Sequence, residues 1–147
     1  MKSMWKEECR GEIINRLDKL DPDKQPLWGK FTCQDMLAHL SDSLKMSLGK
    51  LPVKQQNLPF RYTPLKQLAV YILPIPKNSP TAPELIARKG ESVEEEKKNI
   101  VEFLNEFEKK KEQKNWIIHP AFGKLSESAW GVLVYRHMDH HLRQFMV

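Results

Sequence analysis

The chain has 147 residues, 40% of them hydrophobic and 29% charged, with a formal net charge of +5 from 24 Lys and Arg against 19 Asp and Glu. That length predicts one domain over residues 1–147 with room for a buried core, and that composition excludes a disordered or collagen-like chain. The surplus of charge is modest and many lysines alternate with glutamates, as in KGESVEEEKKN and EFEKKKEQK, so no nucleic-acid partner is expected.

Two cysteines, Cys9 and Cys33, form no CxxC pair, and the opening MKSMWKEECRG has no apolar h-region. A cytoplasmic protein with reduced thiols is the expectation. The longest apolar run, Leu68 to Ile75, contains Pro74 and is far shorter than the ~20 residues that span a bilayer, so no membrane partner is expected.

Helical signals dominate from the start. Residues 3 to 19 predict a first helix with Trp5, Ile13, Ile14 and Leu17 as its apolar positions, ended by Asp21-Pro22. The loop DPDKQPLWGKF follows, with Trp28 and Phe31 as anchors on the core. Thr32 is an N-cap for a second helix and Asp35 falls in its first turn. Cys33, Met36, Leu37, Leu40, Leu44 and Leu48 make one stripe at helical spacing, and Gly49 suits the C′ position. Cys33 lies in the first turn, where the helix dipole lowers a thiol pKa, but its place on the apolar stripe favours a packed thiol over a nucleophile.

Residues 50–62 and 74–91 hold most of the prolines. Between them Thr63-Pro64 reads as an N-cap with proline at N1, opening a short helix to Leu73. This middle region is too apolar for a linker and is expected to lie across the other helices or to line a pocket mouth. Ser92 with Glu95 three residues on is a capping box. It opens a helix whose buried stripe is Val93, Ile100, Val101, Leu104 and Phe107, with the Glu and Lys residues as its wet face. After the loop NWIIHPAFGKL, Ser126 caps a last helix that runs to about Phe145. No strand alternation or internal repeat is present. The predicted fold class is therefore all-α: a four-helix bundle, up-and-down or crossover, with a short extra helix and Pro-rich loops in the middle.

The run HMDHHLRQF places three of the five histidines within five residues. His137 and His141 are four apart and lie about 40° apart on one helical face. Trp130, Leu133, Val134 and Gln144 share that face, so both imidazoles point inward. Paired histidines at this spacing bind a divalent metal in H-E-x-x-H helices. Two satisfied core histidines are the other reading, although such a pair needs partners when neutral and repels when protonated. His39, in MLAHLSD, lies roughly 120° from the centre of its leucine stripe. It is either a surface histidine near Asp35 and Asp42 or, if that flank faces the last helix, a third ligand with Asp35 as acceptor for its ring N–H. His140 lies about 60° from the His137 direction and reads as a flanking residue, a pocket acid/base or a rim residue. His119 sits in the loop before the last helix and either reaches the pocket or props the turn at Pro120. Asp139 points away and reads as solvated. No Ser/His/Asp arrangement, phosphate-binding glycine loop or EF-hand pattern is present.

Two stretches, LWGKFTCQDMLAHLSDSL and HPAFGKLSESAWGVLVYRHMDHHLRQF, resemble the DinB-like (YfiT-like) superfamily, in particular a branch of small bacterial proteins of unknown function. The matching residues, 27–48 and 119–145, are about a third of the chain, and elsewhere only the helix order agrees. The resemblance implies a four-helix bundle that binds a divalent metal such as Zn, Ni, Fe or Mn through His39, His137 and His141. Three protein ligands leave coordination positions open, the pattern of a catalytic site. Relatives of this kind include enzymes that use mycothiol, bacillithiol or glutathione against small electrophiles, and many pair as homodimers. The implied function is metal-dependent activation of a low-molecular-weight thiol, S-transferase-like, or of water, against a small substrate, with His140 and Gln144 orienting the reactants. A non-catalytic metal-binding or partner-binding module is the alternative.

Overall fold

The computed structural model describes residues 1–147 and is all-helical. Its elements are α1 (Glu7–Asp18), α2 (Cys33–Ser47), a single turn α3 (Leu65–Gln67), α4 (Val93–Gln113) and α5 (Glu127–Gln144). There is no strand; the only β pairing is an isolated bridge between His119 and Gly123. No helix is long and apolar enough to cross a membrane.

Three of the predicted caps close as the sequence suggests. The side chains of Thr32, Ser92 and Ser126 accept from the backbone N–H of Asp35, Glu95 and Ala129. Each satisfies one of the donors a helix start leaves unpaired. Gly49 follows α2 with a φ of 78°, in the left-handed region where glycine carries no Cβ penalty.

Helix α2 packs along α4, α1 packs against α5 and α4, and α5 also meets α2. The shared core includes Ile13 and Leu17 from α1, Met36, Leu37 and Leu40 from α2, Ile100, Leu104 and Phe107 from α4, and Trp130, Met138 and Leu142 from α5. Burying each of these contributes roughly 1.5–3 kcal/mol before the entropy of ordering the chain is set against it. Cys9 and Cys33 are free, buried thiols; burial pushes the Cys33 pKa up, as suits a packed side chain rather than a nucleophile.

The structure departs from the sequence expectation in four places. The first helix starts at Glu7, not Ser3, because residues 3–5 form a strap on α5. There Met4 N–H donates to the Gly131 carbonyl (2.9 Å) and the Trp5 indole N–H to that of Glu127 (2.8 Å). Trp5 then stacks on Phe107 with centroids 4.5 Å apart. The short middle helix is an α-turn that continues as a π-helical turn over Leu68–Ile72, and Thr63 makes no side-chain cap. The Arg136 guanidinium from α5 donates to the carbonyls of Ala69, Val70 and Leu73 at the end of this turn, where Pro74 offers no backbone N–H. The wet face of α4 is not wholly wet: Glu96 is fully buried and Lys110 is buried. Asp139 is not merely solvated, since it pairs with Arg16 at 2.7 Å and Arg143 at 3.2 Å.

Candidate metal centre

Leucines 37, 40 and 44 hold α2 against its neighbours, but the helix is buried on more than one side: Ala38, His39, Ser41 and Asp42 are buried as well. The flank that carries His39 therefore faces α5. From α5, His137 and His141 project toward it one turn apart, as their spacing dictates. One ring nitrogen from each of His39, His137 and His141 lies within 4.8 Å of the other two. Nε2 of His39 and Nε2 of His137 are 3.0 Å apart. The three rings meet edge to face, with planes 71° to 88° apart.

The outward nitrogens of two of these rings are already committed. His39 Nδ1 lies 3.1 Å from the Leu85 carbonyl, an acceptor, so this nitrogen carries the hydrogen and Nε2 keeps its lone pair. His141 Nδ1 lies 2.9 Å from Gln144 Oε1. The Gln144 amide nitrogen in turn donates to the Trp28 carbonyl at 2.6 Å, which fixes the amide orientation and hence the His141 tautomer. Phe31 lies beside the rings of both His39 and His141 at 5.4 and 5.9 Å.

The donor set suits a cation. The His39 Nε2 lone pair lies 3.0 Å from His137 Nε2: with the hydrogen of His137 on that nitrogen the contact is an N–H···N hydrogen bond, and with it on Nδ1 two lone pairs converge that a shared cation would reconcile. A proton is a poor candidate, because burial pushes the His39 pKa down, His137 well down and His141 to about 3, with the neighbouring histidines adding to the effect at His137 and His141. Imidazole nitrogens that share one ion at about 2 Å stand roughly 3 Å apart; the His39–His137 pair has that spacing at 3.0 Å, and all three nitrogens lie within 4.8 Å of one another. These three histidines can hold a divalent metal. By surface exposure His137 is half-buried, while His39 and His141 are buried at 4% and 8% exposure.

The other sequence candidates fall in different places. Gln144 is buried behind His141 with both ends of its amide engaged. His140 packs against the rings of Trp28 and His141 at 5.4 and 5.1 Å and is not among the three converging nitrogens. Asp35 does not reach His39: its carboxylate accepts from the Thr32 hydroxyl at 2.8 Å, and the Leu85 carbonyl takes the ring N–H instead. His119 is a turn residue. Its Nδ1 accepts from the backbone N–H of Ala121 and Phe122, and burial with nearby Arg61 pushes its pKa down to about 3.

Sequence reasoning missed Leu85, whose contribution is a backbone carbonyl with no side-chain signature. It also missed the clip that holds the Leu85 loop in place. Arg88 reaches Asp42 on α2 with Nε (2.9 and 3.1 Å) and the buried Glu96 on α4 with both terminal nitrogens. A surface hollow of about 430 Å³ lies elsewhere, between residues 46–55 and 117–120, and no histidine lines it.

No curated protein and no solved structure matches the chain. A family model described as a protein of unknown function (DUF1569) matches residues 7–147, and the chain belongs to that family.

Proposed function

We propose that this protein is a divalent-metal-dependent enzyme on a DinB-like four-helix bundle, acting on a small substrate with a low-molecular-weight thiol or water. The observation that carries the reading is the convergence of three imidazole nitrogens, two of whose rings have their outward N–H groups anchored to Leu85 and Gln144. Anchoring of this kind is what orients imidazoles as metal ligands. His39, His137 and His141 would hold the ion. When bound, it supplies Lewis-acid polarisation that lowers the pKa of a thiol or water beside it. Gln144 acts as a positioning residue through His141. His140, Trp28 and Phe31 wall the cluster, exclude water from the buried rings, and leave the half-buried His137 side for the reactants.

The first experiment is elemental analysis of protein purified without a polyhistidine tag, beside the His137→Ala/His141→Ala double variant. Near-stoichiometric metal in the wild type and none in the variant is the expected result. A wild type that stays empty after incubation with Zn, Ni, Mn and Fe salts would sink the proposal.

A further inference from the structure

Acidic residues are missing from one long stretch of this chain. Between Asp42 and Glu84 there is no Asp or Glu, while Lys45, Lys50, Lys54, Arg61, Lys66 and Lys77 supply six positive charges. Of the 24 Lys and Arg, these six leave 18 elsewhere to face all 19 Asp and Glu, a balance of −1, so the net charge of +5 belongs to this stretch. In space Lys45 pairs with Asp42 and Lys50 with Glu106, which leaves Lys54, Arg61, Lys66 and Lys77 as the cations of the stretch without an ion pair.

The same stretch carries a cluster of uncovered apolar side chains. Residues 59–72 form a lobe seated on α5 through Val70, which is fully buried, and through the Arg136 guanidinium. Leu65 and Ile72 stand roughly 140° and 200° around the helical turn from Val70, on its outer side. Ile72 is 68% exposed, Tyr62 65%, Leu73 47%, Leu65 43% and Phe60 41%. Arg61 and Lys66 donate to the neutral carbonyls of Gln56, Pro120 and Lys124, so no carboxylate cancels their charge.

We propose that this lobe docks on an anionic lipid surface, with Leu65, Ile72, Leu73 and the aromatic Phe60 and Tyr62 entering the headgroup boundary and the surrounding cations facing the lipid charge. Apolar and aromatic residues flanked by Lys and Arg are the make-up of interfacial anchors. The apolar side chains project from a turn rather than line a hollow, which suits insertion among acyl chains. A second copy of the chain is the poorer occupant: a two-fold contact places each patch on its own image and sets cation against cation. Nucleic acid would match the charge, but such interfaces are polar and leave Leu65, Ile72 and Leu73 without a role. The proposal does not depend on the metal reading.

The test is co-sedimentation of the full chain with phosphatidylcholine vesicles, with and without phosphatidylglycerol, at low and high salt. The expected result is binding only to the anionic vesicles, weakened by salt, and weakened about tenfold by Leu65→Asp/Ile72→Asp at two exposed sites. Retention of the circular dichroism melt in the variant excludes unfolding as the cause. No binding to anionic vesicles overturns the proposal. So does self-association in sedimentation velocity that the same double substitution abolishes, or preferential release from vesicles by duplex DNA.

Discussion

Gln144 is the residue through which the shape of the chain reaches the histidine cluster. Its Oε1 accepts the His141 ring hydrogen and its amide N–H donates to the Trp28 carbonyl, so one side chain ties α5 to the loop before α2. The loop can seat there because residue 29 is glycine: a Cβ would stand 2.9 Å from the Gln144 nitrogen, and the backbone φ of 78° is one that other residues rarely adopt. Gln144→Leu keeps the volume and removes both bonds. Its metal affinity, measured by competition with a chromophoric chelator, should fall about 10- to 100-fold, the usual cost of losing a group that orients a ligand. An unchanged affinity would assign Gln144 to packing alone. His119 supports a second prediction. Its Nδ1 must stay unprotonated to accept two backbone N–H groups, and its folded pKa of about 3 lies below the ordinary value of 6.5. The unfolded state therefore takes up the proton first. Its stabilising effect is complete above pH ~6.5 and is lost as pH falls from there toward ~3, at about 1.4 kcal/mol per pH unit. His119→Asn retains an acceptor that does not titrate. In urea titrations of metal-free protein it should show a shallower loss of stability between pH 6.5 and 4 than the wild type, and equal slopes would refute the assignment.

The long helices are where sequence and structure agree most closely, and the reason is local. Thr32, Ser92 and Ser126 cap with their own side chains, and the leucine and phenylalanine stripes at helical spacing need only one face to bury. What local pattern cannot convey is any contact made by the backbone or across a long separation. Leu85 serves His39 with a carbonyl, Arg88 joins Asp42 to Glu96 across two helices, and residues 3–5 leave their helical register to strap α5. The His137–His141 pair was legible from its spacing of four, whereas the inward aim of His39 depended on how α2 is buried by its neighbours. The strap gives a prediction at this scale. Gly131 lies mid-helix in α5, where alanine would ordinarily add about 1 kcal/mol of helix stability. A Cβ there would overlap the Trp5 indole and lie 2.5 Å from Ser3 Oγ, beneath the stacked Trp5 and Phe107 rings. Gly131→Ala should accordingly destabilise the protein by roughly 1–3 kcal/mol in chemical denaturation, as overpacking does. A stabilised variant would show that the strap is loose.

For the molecule as a whole, an ion held by the three histidines would couple the cluster to the fold. His39 lies on α2 and the other two histidines on α5, and these helices touch each other less extensively than α2 touches α4. An ion shared by all three would therefore join two elements that the apolar core joins only in part. Anything that binds the folded state alone stabilises it, by about 2.7 kcal/mol when free ligand is a hundred times its Kd. For a chain of this size that corresponds to a melting temperature roughly 5–10 °C higher. Stripping metal with a chelator should lower the Tm of the wild type by that amount and leave the His137→Ala/His141→Ala variant unmoved. Equal melts with and without chelator would remove any structural part for the ion. The size of the shift does not separate a catalytic centre from a purely structural one, since both stabilise. Access does. With Co(II) in place of the native ion, a low-molecular-weight thiol should change the absorption spectrum if positions beside His137 are open, as three protein ligands and the half-buried ring imply. A spectrum indifferent to thiol and to small anions, in a protein that still melts lower with chelator, would make the three histidines a structural staple and favour the non-catalytic module.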